Sequence, residues 1–224
     1  MPKNQVDKPM TSAFFDLDNT LVTKSTGLLY YKYLRQKGYA SIFDTMKALY
    51  FWLRYRMNSL DIKSLAEREV RKVAGMSERA MIELCDRWFH DMVRHYISSR
   101  AIETVNKHRE QGHMLAILSA ATPYTVNPVK KFLKIDHGLC THLVVKDGCF
   151  TGELVEPYCY GEGKLYWAKR FAQENGIDLK DAYFYTDSYT DLPVLEHVGM
   201  PRPVNPDRLL EAEANRRGWP ITRF

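Results

Sequence analysis

The sequence predicts an α/β fold, a mostly parallel sheet covered by helices on both faces and interrupted after its first strand by an all-helical insertion. From Ile102 onward, short apolar runs alternate with helical stretches, the pattern of a parallel sheet built by crossover connections. Between Thr23 and about Ser98, by contrast, only helical patterns occur. Finally, Asp16, Asp18, Ser119 and Asp187 all fall where an apolar run ends, and in open parallel sheets ligands collect at the carboxyl ends of the strands. The expected organisation is a core of residues 11–22 and 99–224 and a helical insertion of residues 23–98.

Residues Met1 to Met10 are polar, include Pro2 and Pro9, and read as a loose arm. A first strand is expected over Thr11 to Asp16. Leu28, Leu29, Tyr31 and Leu34 share a helix face, ended by Gly38. Ile42 to Met57 is aromatic and carries Lys47, Arg54 and Arg56. It can be read as an amphipathic helix on a membrane surface. Packing within a helical subdomain is the commonplace case and the one favoured, so no membrane contact is expected. Two more helices are expected over Ser59 to Val73 and Ser77 to His95, the latter with Ser77 as N-cap.

In the second half, Ala101 to Gln111 reads as a helix closed by Gly112, and Met114 to Leu118 as a buried strand. A helix over Val126 to Leu133 follows. His142 to Val145 and Cys149 to Leu154 flank Asp147-Gly148, which predicts a hairpin with a type I′-like turn. Gly161 opens a helix that runs through Glu174. Ala182 to Tyr185 is a strand, Pro201 to Val204 a last short strand, and a terminal helix closes the chain.

The chain has 224 residues, of which 45% are hydrophobic and 26% charged, values ordinary for a globular protein with one sizeable core. A net charge of +5 suits an anionic substrate or a solvated basic surface, and no concentrated basic stripe suggests nucleic acid. Cys85, Cys140, Cys149 and Cys159 form no CxxC pair, so neither a zinc site nor a disulfide framework is indicated. No apolar stretch approaches a membrane span and no secretory signal is evident, so a cytoplasmic location is expected.

Alternate side chains of an extended strand share a face, so Asp16 and Asp18 would repel one another unless a cation lies beside them. Mg²⁺ suits such a pair, since it takes oxygen ligands and uses only one or two carboxylates. Asp-Asn is also an ordinary exit from a strand, and Asp187 or Asp191 could equally serve as an N-cap. Hydrolysis of a phosphate monoester needs a nucleophile, neutralised oxygens and a proton for the leaving group. Asp16 can attack phosphorus, and Asp18 can protonate the leaving oxygen and then activate water. Asp16, Asp187 and the backbone carbonyl of Asp18 would hold Mg²⁺. The Ser119 hydroxyl, the Ala120 amide and the Lys164 ammonium at a helix start could bind phosphoryl oxygens. Asp191 would hold metal through water or fix Lys164.

In their order, Asp16-x-Asp18-x-Thr20, Ser119, Lys164 and Asp187-x-x-x-Asp191 resemble the four motifs of the haloacid dehalogenase superfamily, across nearly the whole chain from Thr11. The helical insertion after the first motif, and the hairpin over Val144 to Leu154, are similar to the phosphoserine-phosphatase-like branch with its helical cap. The resemblance implies a Rossmann-like core. It also implies Asp16 as nucleophile, Asp18 as acid and base, Ser119 and Lys164 as phosphate clamps, Asp187 as metal ligand and Asp191 as supporting acid, with Thr20 completing the first motif. Thr23-Lys24-Ser25-Thr26 stand where phosphoserine phosphatases carry a glutamate, and Ser119-Ala120-Ala121 stand for a Ser-Gly-Gly motif. The chain looks more like neighbouring hydrolases that include histidinol-phosphate phosphatases.

The expected activity is a Mg²⁺-dependent phosphatase on a small phosphorylated metabolite, with Lys24, Arg54 and Arg56 candidates for shaping specificity. Two other readings use the same residues: a phospholipid head-group phosphatase touching a membrane through Ile42 to Met57, and a non-catalytic binder of a phosphate ligand.

Overall fold

The structure, a computed structural model, describes residues 10–56 and 62–224. The expected arm lies outside the described residues except for Met10, as do Met57, Ser59, Leu60, Asp61 and the side chain of Arg56. Its centre is a five-stranded sheet in the order β3-β2-β1-β6-β7, parallel throughout. The strands are β1 (Ser12–Phe15), β2 (Met114–Leu118), β3 (His137–Leu139), β6 (Ala182–Thr186) and β7 (Met200–Pro203). A separate antiparallel hairpin pairs β4 (Leu143–Lys146) with β5 (Cys149–Leu154). Its turn has φ of 51° at Asp147 and 74° at Gly148, the doubly left-handed geometry of the expected type I′ turn.

Because successive residues of a strand face opposite ways, β1 feeds two cores. Ala13 and Phe15 join Leu115, Ile117 and Tyr185 on one face; Phe14 joins Ala116, Leu118 and Phe184 on the other. α5 (Ser99–Glu110) and α6 (Pro123–Leu133) bury residues in the first cluster. α7 (Glu162–Glu174), α8 (Leu192–Leu195) and α9 (Arg208–Arg217) bury theirs in the second. The central strands β1, β2 and β6, covered on both sides, are therefore largely apolar along their length, which is why the sequence betrays them.

Between β1 and α5 the chain forms α1 (Thr26–Gln36), α2 (Ile42–Arg56), α3 (Ile62–Arg71) and α4 (Glu78–Asp91). This excursion leaves and returns through a narrow neck. The Thr23 amide donates to the Tyr96 carbonyl at 2.8 Å, and the Ser98 amide donates to the Leu21 carbonyl at 3.0 Å. Leu29 and Tyr33 of α1 and Met81, Cys85, Trp88 and Phe89 of α4 pack in one cluster with Leu17, Leu21 and Val22, just after β1. The hairpin attaches to the same helices. Phe150 exchanges backbone hydrogen bonds with Gly75 and Met76 at 2.8 and 3.0 Å, and the Glu78 amide donates to the Gly148 carbonyl at 2.9 Å. Among the described residues, no helix is long and apolar enough to cross a membrane.

The structure corrects several expected boundaries. β1 ends at Phe15, so Asp16 and Asp18 lie in the loop beyond it and do not share a strand face. The helix expected over Ser77 to His95 stops at Asp91; Met92 leaves helical geometry at φ −137° and a short 3₁₀ turn follows. α6 begins at Pro123, where proline is tolerated because a first-turn amide needs no helical partner. Strand β3 had no expected counterpart, and the helix expected to follow the loop of Asp187 and Asp191 is the short α8.

His108 of α5 is buried, with Nδ1 2.7 Å from Nδ1 of His113 and Nε2 2.9 Å from the Tyr185 hydroxyl. Burial, then His113 and Arg202, push its pKa down from 6.5 to about 4. The unfolded chain thus binds a proton that the folded chain refuses between those values. Stability from this group is complete above pH 6.5 and is lost as pH falls toward 4, at most about 3 kcal/mol. Urea denaturation of His108→Gln is expected to show a shallower loss of stability between pH 7 and pH 5 than wild type. Equal losses would refute this assignment.

Candidate active site

The chain runs from β1 through β2 to β3 on one side, then returns to add β6 and β7 on the other. The order therefore reverses beside β1, and the crevice at such a switch point is where parallel sheets bind ligands. Register brings the candidate residues to one edge: Phe15 lies beside Ile117 and Tyr185, and Asp16, Ser119 and Asp187 follow within two residues.

Asp16 anchors the crevice. Its amide donates to the Tyr185 carbonyl at 2.8 Å, and its Oδ1 accepts from Lys164 Nζ at 2.8 Å. Lys164 also donates to Asp191 Oδ2 at 2.7 Å, so one buried ammonium bridges two buried carboxylates. Thr186 adds a hydrogen bond to the same Asp191 oxygen at 2.5 Å. Lys164 reaches this position because α7 begins against the preceding loop. A Cβ on Gly163 would lie 1.7 Å from the Tyr158 carbonyl oxygen, so only glycine fits there. The expected placement of Lys164 at a helix start holds. Asp191 occupies the N-cap position of α8 but makes no capping bond, and its carboxylate turns inward to Lys164.

Asp18 is directed elsewhere. Its Oδ1 accepts from the Thr26 amide at 2.8 Å, satisfying a first-turn donor of α1 beside the N-cap Ser25. Asn19, in the left-handed region at φ 53°, donates from Nδ2 to Asp187 Oδ2 at 3.1 Å. Its carbonyl accepts from Asn205 Nδ2 at 3.3 Å, and Asn205 is itself left-handed at φ 42°. Thr20 is fully buried, and its Oγ1 makes no hydrogen bond among the described residues. Ser119 is buried at the end of β2. Its Oγ accepts from the Ala121 amide at 3.2 Å, which leaves the hydroxyl proton free to be donated; Ala120 is half-buried between them.

Sequence reasoning missed Asn19, Asn205, Thr26 and Thr186. The first two join positions 186 residues apart, and asparagine in a turn carries no signal of a distant partner. Thr186 could have been found as the hydroxyl residue ending a strand directly before Asp187.

Four carboxylates and one ammonium make the crevice electronegative. Burial first, then Asp191 and Asp18, push the pKa of Asp16 up to about 7 against the opposing pull of Lys164. Burial likewise raises Asp18, opposed mainly by its hydrogen bonds to Thr26. Uncompensated negative charge lined with oxygen donors fits a hard divalent cation. Among the described residues no three or more of His, Cys, Asp and Glu gather into a group that could hold a metal by themselves.

In the folded protein Asp16 binds a proton over a range where the unfolded chain has lost it, so its contribution to stability declines as pH rises from 3.8 through about 7. Lys164→Met removes the opposing cation and carries that decline to higher pH. The variant is expected to lose about 3–5 kcal/mol at pH 8 and distinctly less at pH 5 in chemical denaturation. A deficit independent of pH would show that the ammonium does not compensate these carboxylates.

Residues 13–196 match the haloacid dehalogenase-like hydrolase family. Over 226 residues the chain is 33% identical to a probable phosphatase of Mycobacterium tuberculosis, covering 100% of this chain and 78% of that protein. It is 30% identical over 217 residues to a histidinol-phosphatase of Neisseria meningitidis, covering 95% and 98% respectively. A protein of unknown function from Bordetella pertussis Tohama I superposes with a TM-score of 0.86 at 25% identity, over 96% of this chain and 99% of that one. The fold is shared with a phosphoserine phosphatase solved as a phospho-aspartyl intermediate analogue, at a TM-score of 0.72 and 20% identity over 96% and 94% of the two chains. A family match over most of the chain, with the four motifs converging on one crevice, makes the protein a member of the haloacid dehalogenase-like hydrolases.

Proposed function

We propose that the protein is a Mg²⁺-dependent phosphatase that hydrolyses a small phosphorylated metabolite through an aspartyl-phosphate on Asp16. The observation that carries this reading is the buried Asp16 carboxylate, with Oδ1 fixed by Lys164 and Oδ2 left to react. Asp16, Asp187 and the carbonyl of Asp18 would hold the cation. Bound there, Mg²⁺ supplies the positive charge that favours ionised Asp16 and lets an anionic phosphate approach it.

Asp16 Oδ2 attacks phosphorus as the bond to the leaving oxygen breaks, and Asp18 gives its proton to that oxygen. A raised pKa suits Asp18 to this role, since it must hold a proton near neutrality and then part with it. The ionised Asp18 next takes a proton from water. That water attacks the phosphorus, the bond to Asp16 breaks, and inorganic phosphate leaves. Lys164 neutralises Asp16 while Asp191 holds the ammonium in place. The Ser119 hydroxyl and the Ala120 amide donate to phosphoryl oxygens, and Thr20 supports the loop. Asn19 and Asn205 act as positioning residues for Asp187.

Residues 23–98 serve as a cap over a core of residues 11–22 and 99–224, a division supported by the neck between Leu21–Thr23 and Tyr96–Ser98. No acid stands in the first turn of α1 to receive a substrate ammonium group, which disfavours phosphoserine. The relative named histidinol-phosphatase favours histidinol phosphate as the first substrate to try. The enzyme would act in the cytoplasm.

Phosphate release is to be measured on histidinol phosphate, phosphoserine, phosphoethanolamine, sugar phosphates and nucleotides, with Mg²⁺ or EDTA. Metal-dependent turnover is expected on at least one, falling by about 10³-fold or more in Asp16→Asn. Turnover that survives Asp16→Asn would eliminate the covalent mechanism. Inactivity of folded, Mg²⁺-loaded wild type on the whole panel would move the reading to a phosphate-binding protein.

A further inference from the structure

The segment that follows α9 lies against the supports of the candidate site. Thr222 bridges Val204 in parallel. Its amide donates to the Pro203 carbonyl at 2.8 Å, and its carbonyl accepts from the Asn205 amide at 3.0 Å. The Phe224 amide donates to Asn205 Oδ1 at 3.1 Å, and the Phe224 carbonyl accepts from Asn205 Nδ2 at 3.5 Å. The Phe224 ring is half-buried and stacks on Tyr185, with centroids 6.1 Å apart and planes at 24°. Between these two residues, Arg223 accepts at its carbonyl from Arg100 of α5 at 2.8 Å and pairs with Glu211 of α9 at 2.7 Å.

Both contacts of Phe224 lead to a carboxylate of the crevice. A side-chain amide offers an oxygen at one end and an NH₂ at the other. With Oδ1 of Asn205 held by the Phe224 amide, Nδ2 is turned to the Asn19 carbonyl, 3.3 Å away. Asn19 in turn donates from its side chain to Asp187 Oδ2 at 3.1 Å. Asn19 and Asn205 both hold positive φ, 53° and 42°, which even asparagine adopts at a cost and keeps where its contacts enforce it. The second route runs through Tyr185, whose ring stacks on Phe15 as well as Phe224. Its carbonyl accepts the Asp16 amide at 2.8 Å.

We propose that residues 222–224 are a positioning strap for the cation site, acting on Asp187 through Asn205 and Asn19 and on Asp16 through Tyr185. The inference rests on the reading of Asp16 and Asp187 as cation ligands given above. A carboxylate whose orientation is fixed beforehand loses less freedom when the cation binds. Loosening the strap therefore weakens binding without altering a ligand.

The test is titration of Mg²⁺ into the full chain by calorimetry, with urea unfolding of the metal-free proteins to establish that each variant is folded. Asn205→Asp keeps the size of the side chain but sets a carboxylate oxygen against the Asn19 carbonyl. It also adds a negative charge, which by itself would tighten cation binding. The variant is expected to bind Mg²⁺ about tenfold more weakly, the reverse of the charge effect. Phe224→Ala takes the ring from Tyr185 and, one step further from the ligands, is expected to weaken binding about threefold. Phe224→Tyr keeps the ring and should bind as wild type does. If wild type binds Mg²⁺ and Asn205→Asp binds it as tightly or more tightly, the inference is overturned and the reading of the site stands. Equal affinity in wild type and Phe224→Ala would do the same, as would a Phe224→Tyr variant as weak as Phe224→Ala. Wild type that binds no Mg²⁺ would overturn both.

Discussion

The site depends on one buried ammonium held between two buried carboxylates. Lys164, Asp16 and Asp191 come from α7, the end of β1 and the start of α8, so their ion pairs tie the two sides of the sheet together across its switch point. Ion pairs of this kind contribute little net stability, because desolvating three charges offsets most of their attraction. What they contribute is position. A lysine with both partners in place cannot swing away, and an aspartate with one oxygen engaged presents the other in one direction. Burial above all, with the negative charge of Asp191 and Asp18 added, is what pushes Asp16 up to about 7 against the pull of Lys164.

The crevice is also where the helical excursion is attached. Asp18 accepts the first-turn amide of α1, so the residue proposed to move the proton also caps the first of the inserted helices. Leu17, Leu21 and Val22, in the same loop, pack with α1 and α4. The hairpin, although it follows β3 in the chain, bonds to the ends of α3 and α4 through Gly75, Met76 and Glu78. Movement of these helices relative to the sheet would act directly on Asp18 and much less on Asp16, which is fastened to Tyr185 and Lys164.

How much of this the sequence discloses follows from what each element buries. Met114–Leu118 is recognisable to the residue because both of its faces are covered and all five side chains are apolar. His137–Leu139 escapes because it is an edge strand of three residues with glycine at its centre, leaving no apolar run to detect. Pro123 hides the start of α6, since proline reads as an interruption and serves here as a first-turn residue. The carboxylates, Ser119 and Lys164 are legible because strand ends and glycine turns mark them. Their supports are not: Asn19, Asn205 and the Thr26 amide act across long separations or through the backbone, where residue type says nothing of the partner.

The same reasoning separates the two apolar faces of α2. Periodicity alone makes Ile42 to Arg56 an amphipathic helix and leaves open whether its apolar residues look inward or outward. The structure answers that they do both, with Thr45, Ala48 and Phe51 half-buried on one side and Phe43, Met46 and Tyr50 exposed on the other. An inward face is maintained by the need for a core. The outward one is not maintained by packing among the described residues.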